Sequence, residues 1–249
     1  MPNRRGLPFT QDVTAAWEAH ALEWLDWARS PGFDSYWQFH RDQFLDLVPP
    51  PGRLTLDIGC GEGRLAADLA ALGHNIVGID ASPTLVAAAR TAHPDLDLRV
   101  ADASSLPLPD GAADLAIAFM SLMDMNEIGP ALREAARVLE PDGRLCVAVV
   151  HPLNSAGEFA GEEPDAPFTI RGSYLAERRY QDEIERDGRT MTFTSVHRPI
   201  QAYFDAMAAA GFVIERLREP AVPDAAITGP QHRRWQRVPL FLHLRGVRR

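Results

Sequence analysis

The chain has 249 residues, 46% hydrophobic and 24% charged, with a formal net charge of −9. That length buries a full core and suits one large domain, while the acidic balance argues against a broad phosphate-binding face and no apolar run could span a bilayer. All 25 basic residues are arginine, which excludes a Schiff-base lysine and a P-loop lysine.

The opening segment, Met1 to Pro8, lacks the apolar core of a signal peptide. Two cysteines, Cys60 and Cys146, make neither a disulfide framework nor a zinc spacing, and no metal is expected. A cytoplasmic protein with packed, reduced thiols follows. In chain order, Val13, Trp17, Ala21, Trp24 and Ala28 recur at helical spacing and predict a helix over 12–29, ended by Ser30-Pro31-Gly32. A second helix is expected over 34–47, with Trp37, Phe44 and Leu47 as its apolar residues. The run Pro49-Pro50-Pro51-Gly52 then marks the entry to a different pattern.

From there strand and helix alternate, which implies a parallel sheet covered on both faces. Strands are expected at 54–58, 75–79, 97–101, 114–119 and 144–150, with helices near 64–72, 83–92 and 127–139. Ser82 before Pro83 suits a helix N-cap followed by proline at N1. After Val150 the pattern breaks. Residues 151–198 read as an inserted cap with one or two short strands, and a loop of that length in a compact enzyme is usually functional. A helix over 199–210, a strand over 212–218 and a last strand near 238–245 follow. The organisation is a helical lid over 1–51, a core over 52–150, the cap over 151–198 and a completion of the sheet over 199–249, all one structural domain.

The chemistry concentrates at the ends of the core strands. The first runs Leu54-Thr55-Leu56-Asp57-Ile58 into Gly59-Cys60-Gly61-Glu62-Gly63-Arg64. Glycines let the backbone turn tightly and approach a ligand, and the helix that follows presents free N–H groups. A second acid, Asp80, closes the next apolar run 23 residues after Asp57; an acid so placed can accept from both hydroxyls of a ribose. The glycine spacing is not that of the nicotinamide fingerprint, because Arg64 stands where its last glycine should be.

These residues resemble the class I S-adenosylmethionine-dependent methyltransferases of the bacterial UbiE (type 11) kind. Asp57, Gly59, Gly61 and Gly63 match that family's D-x-G-x-G-x-G. Asp102 with Ala103 matches its acid after the third strand, and Glu140-Pro141-Asp142-Gly143 resembles its turn before the fifth. The resemblance implies a Rossmann-like, seven-stranded, mostly parallel sheet whose last strand is antiparallel. It implies S-adenosylmethionine as cofactor, with Asp57 near the amino-acid part, Gly59, Cys60 and Gly61 beside the nucleoside, and Asp102 on the adenine. Ala81 and Ala103 would frame the ring and Met120 would lie near the methionine portion.

Three residues are candidates for a catalytic base. His151 ends the fifth core strand and suits a base near neutral pH, or else fixes the His151-Pro152 turn. His197 closes the cap and reads as a base or a turn histidine. Asp124 follows the fourth core strand and reads as a base or a loop acid. Trp17, Trp24, Trp27, Tyr36 and Trp37 form a packed lid, or turn one or two rings to a planar substrate or to a sulfonium. The segment from His232 to Leu242 reads as an edge strand with solvated arginines, or as a nucleic-acid patch. The acidity and the absence of an appended RNA- or peptide-binding domain favour a small-molecule methyl acceptor, taken at O, N or C, by a monomer or homodimer. Methylation of RNA or protein, and a non-catalytic cofactor-binding regulator, are the alternatives.

Overall fold

The computed structural model describes residues 3–8, 12–30, 32 and 34–249. Pro31, part of the expected helix stop, lies outside them. Five parallel strands form the centre of the molecule: β2 (Thr55–Ile58), β3 (Ile76–Asp80), β4 (Asp97–Val100), β5 (Ala113–Phe119) and β6 (Leu139–Val150), preceded by a short N-terminal strand, β1 (Asn3–Leu7). With β11 (Phe212–Arg218) and β12 (Phe241–Arg248) they make a seven-stranded sheet in the order β11-β12-β6-β5-β2-β3-β4. β12 runs antiparallel to both its neighbours. The sheet is therefore the Rossmann-like one the motifs imply.

Every residue of β2 is buried, as a central parallel strand covered on both faces requires. On β5 the two-residue period divides the faces: Ala116 and Ala118 pack to one side, Leu115, Ile117 and Phe119 to the other. The first face is covered by α6 (Ile128–Val138) and α8 (Ile200–Ala209). The second is covered by α3 (Arg41–Leu45), α4 (Arg64–Ala71) and α5 (Pro83–Ala92). Ser82 caps α5, its hydroxyl accepting from the Leu85 N–H at 3.1 Å. From β2 the chain winds outward through β3 and β4, then crosses back to β5, leaving a crevice at the carboxyl ends of β2 and β5 where such sheets bind ligands.

The lid differs from its expected form. The helix over 12–29 is broken at His20 into α1 (Val13–Ala19) and α2 (Ala21–Arg29). The break wraps both around Phe193, whose ring meets Trp17, Trp24 and Trp27 edge-on at 6.1–6.4 Å. The helix over 34–47 opens instead with a π-helical turn, Tyr36–His40, before α3. The wider turn shifts the phase of the apolar stripe, so Tyr36, Phe39 and His40 face inward while Trp37 is 56% exposed.

The cap holds more strand than expected. After α7 (Pro152–Ala156) come β7 (Gly157–Phe159), β8 (Phe168–Ile170), β9 (Arg178–Arg186) and β10 (Arg189–His197). β9 and β10 form a hairpin of nine-residue strands closed by Asp187 and Gly188, both at positive φ, an Asp-Gly turn of the kind hairpins favour. β1 adds to β9 as a third strand, so lid and cap share one small sheet. The C-terminal strand begins at Phe241 rather than 238, and it is not an edge strand. It lies between β6 and β11, with six of its eight residues buried.

Candidate cofactor and acceptor site

At the crevice the chain leaves β2 through Gly59 at φ +78°, where a Cβ would sit 2.4 Å from the Cβ of Ser121. The Gly59 and Cys60 N–H groups donate to the Ile79 carbonyl at 2.7 and 3.0 Å. The Ser121 hydroxyl donates to the Ile58 carbonyl at 2.6 Å. The loop is thus tied to β3 on one side and to the end of β5 on the other. Asp80 completes it: one carboxylate oxygen accepts from the Gly61 N–H, the other from the Ser82 N–H, each at 2.8 Å.

Asp57, Glu62 and Asp80 stand together against the same cavity. Asp57 is 1% exposed, and its Oδ2 is buried with no partner. Burial, then the charges of Asp80 and Glu62, push its carboxyl up to about 7. Asp80 is also raised, by burial first, against the pull of its two backbone N–H donors. A buried acid cluster with an orphaned oxygen calls for a cation, and an aminoacyl sulfonium cofactor brings two. Asp102, after β4, faces the cavity with Ala81 and Ala103, its carboxylate held by the Ser104 N–H at 2.7 Å. Met120, at φ 55°, turns the chain at the end of β5. Cys60 also borders the cavity, its thiol pushed well up by burial and the three acids.

The profile of the methyltransferase domain family matches residues 56–147, the glycine loop through β6. A curated relative, the ubiquinone/menaquinone biosynthesis C-methyltransferase UbiE of Caulobacter vibrioides, is 31% identical over 188 residues, 60% of this chain and 73% of the relative. The chain belongs to the class I S-adenosylmethionine-dependent methyltransferases. Demethylmenaquinone methyltransferase of Beutenbergia cavernae is 36% identical over 148 residues, 59% of this chain and only 56% of that protein's length. Among solved structures, an S-adenosylmethionine-dependent methyltransferase from Mesorhizobium loti superposes with a TM-score of 0.69 at 25% identity, covering 83% of this chain and 96% of that one.

In this methyltransferase the lid closes directly on the glycine loop. Trp24 Nε1 donates to Glu62 Oε2 at 2.8 Å. Arg64 pairs with Glu62 at 3.1 Å and with Asp34, its guanidinium lying over the rings of Tyr36 at 4.4 Å and Trp24 at 5.0 Å. Glu18 on α1 accepts from the Ser82 and Thr84 hydroxyls at the start of α5. Lid, cap and sheet edge together line a cavity of about 1090 Å³, slightly above the ~300–1,000 Å³ usual for small-molecule sites.

The three candidate bases separate sharply. His151 does not border the cavity. Its Nδ1 accepts from the Leu153 N–H at 3.0 Å, capping α7, and its Nε2 meets Glu219 Oε1 at 2.9 Å. His197 is fully buried, with Nδ1 2.6 Å from the Ser155 hydroxyl and Nε2 2.9 Å from the Tyr174 carbonyl. Both rings have each nitrogen engaged by protein groups, and neither residue borders the cavity. Asp124 stands apart. It lies in the 3₁₀ turn after β5, borders the cavity beside Met120 and Met123, and accepts from the Ser195 hydroxyl at 2.6 Å. Burial lifts its carboxyl to about 8, against the Ser195 and Trp17 hydrogen bonds and the Arg198 charge.

The arginine-rich C-terminal segment is only partly solvated: Arg233 and Arg237 are exposed, whereas Arg234 is half-buried. Arg234 lies over Phe159 at 5.0 Å and donates to Gln231 and Gly161 carbonyls, while Arg237 donates to the Pro164 and Ala166 carbonyls. His232, Arg234 and Trp235 form a wall of the cavity. Sequence reasoning passed over Glu62, Arg64, Ser195 and the buried pair His40 and His243. Their partners lie in distant segments; the alternation Met191-Thr192-Phe193-Thr194 signalled a strand where β10, which carries Ser195, runs, but not what it packs against.

Proposed function

We propose that the protein methylates an O, N or C atom of a small, largely apolar molecule held between the lid aromatics and the end of β5, with Asp124 as the base. The observation that carries this is the continuity of one cavity, lined by the acids of the glycine loop and by the aromatics of the lid, with the raised carboxyl of Asp124 on its wall beside Met120 and Met123. The names of the relatives, two of them quinone-pathway methyltransferases, support a small acceptor.

In this reading Asp80 accepts from the ribose hydroxyls, Asp57 turns its orphaned oxygen to the ammonium of the amino-acid part, and Asp102 meets the adenine. When bound, the cofactor supplies an electrophilic methyl whose bond to sulfur breaks, the pair staying on sulfur, as the bond to the acceptor forms. Asp124 takes the proton the acceptor loses. Lid and cap exclude water and align the reactants, and alignment of that kind can lower a barrier by up to ~7–11 kcal/mol. Its two buried free thiols suit a reducing cell interior; among the described residues no helix is long and apolar enough to cross a membrane.

The test is transfer of a labelled methyl group from S-adenosylmethionine into an extract of the host, split into small-molecule and macromolecular pools. Label in the small pool supports the proposal. Label confined to the macromolecular pool overturns the acceptor class, and no label despite cofactor binding overturns catalysis.

A further inference from the structure

His40 and His243 take no part in the chemistry described so far. His40 ends the π-helical turn of the lid and His243 lies within β12, with their Nε2 atoms 2.8 Å apart. Both are buried. The His40 ring stacks flat on Phe241, centroids 3.6 Å apart and planes at 4°, and leans on Phe119 at 4.7 Å. Phe44 closes on His243 edge-on. A contact between two imidazole nitrogens needs one proton: one ring donates and the other accepts.

Which ring donates follows from the surroundings. Burial drives both rings well below the ordinary imidazole range, with the positive charges of Arg64 and Arg218 adding to it, so each ring carries a single proton at neutral pH. His243 Nδ1 is buried and has no partner. A proton there would be an orphaned N–H, which folded chains avoid more strictly than an under-used acceptor. His243 therefore carries its proton on Nε2 and donates it to His40 Nε2. His40 must then hold its own proton on Nδ1. Among the described residues no acceptor meets that N–H, and His40 borders the cavity beside Phe119 and Met120.

We propose that His40 donates its Nδ1–H to an oxygen of the methyl acceptor, and that His243 is the positioning residue that fixes this tautomer. The inference rests on the acceptor site proposed above. A neutral donor set among aromatic rings suits a planar acceptor with a phenolic or enolic oxygen conjugated to the atom that is methylated. The step needs no further reactant: the acceptor proton passes to the Asp124 carboxylate, the negative charge on oxygen is held by the His40 N–H, and that N–H keeps its proton.

Ring ¹⁵N NMR of the whole protein with S-adenosylhomocysteine reads the tautomers directly. Protonation of His40 at Nδ1 and His243 at Nε2 is expected; His40 protonated at Nε2 overturns the proposal. The second readout is binding of 4-nitrophenol to the same complex, followed by its visible phenolate band. Wild type should bind it as phenolate. His40→Phe, which keeps the stack, and His243→Leu should bind it at least about tenfold more weakly, as loss of a hydrogen bond to a charged oxygen implies. His243→Gln, which keeps an N–H donor in place, should restore it. No binding to wild type, or equal binding by His40→Phe, overturns the assignment. All variants should hold S-adenosylhomocysteine as wild type does. Failure of wild type to hold it would instead sink the methyltransferase reading, while the ring tautomers stay readable without it.

Discussion

Asp57 and Asp124 are both acids lifted by burial, and the sign of each lift has a measurable effect. The Asp57 carboxyl moves from an ordinary 3.8 to about 7. The folded chain therefore keeps a proton that the unfolded chain has already lost, so this contribution to stability is complete at low pH and is lost as pH rises through 7. A bound ammonium reverses the lift and expels the proton. Calorimetry of S-adenosylhomocysteine binding in buffers of differing ionisation enthalpy should show proton release between about pH 4 and 7, absent in Asp57→Asn. For Asp124 the base is the ionised form, so methyl transfer should rise with pH through about 8 and then level. Asp124→Asn should cost ~10²–10⁴-fold in turnover with cofactor affinity unchanged. Asp80→Ala should weaken cofactor binding by at least about 1.5 kcal/mol, a charged hydrogen bond being lost; calorimetry checks it. The strand-end residues were legible because the strand periodicity, together with the family resemblance, puts Asp57, Asp80, Asp102 and Met120 on one rim. The surroundings of the candidate bases were not: His151 turns to Glu219 and Asp124 to Ser195, 68 and 71 residues away, and no local pattern says which way a side chain at a strand end will rotate.

Among the elements, the core strands and their helices follow from periodicity, since each buries its stripe against near neighbours. The lid and cap do not, because each depends on the other. α1 and α2 bend around Phe193 of β10, and among the described residues β1 pairs with β9 alone. The joint between lid and glycine loop is Arg64, set between Asp34, Glu62 and two rings. Arg64→Met would leave two largely buried carboxylates unpaired, a loss of about 3–5 kcal/mol. A fall in the urea midpoint should show it; an unchanged midpoint would mean the joint carries no net stability.

Taken whole, the molecule is a sheet that holds the cofactor at one edge and a separate small sheet that covers it. Binding of S-adenosylhomocysteine should slow amide exchange in α1, α2 and β10 more than in β5 or β6, whose amides are already shielded. The cover is built on pairing between chain segments very far apart: Arg4 of β1 meets Asp182 of β9 across 178 residues. At about 5–20 residues per second, a ribosome needs roughly 10–35 s to supply that partner. For much of that interval the tryptophan-rich face of the lid lacks Phe193 and the hairpin that cover it, and has only the glycine loop, through Trp24, to meet. A newborn chain therefore displays a sticky aromatic surface early, and it is a natural client for a chaperone until the hairpin emerges.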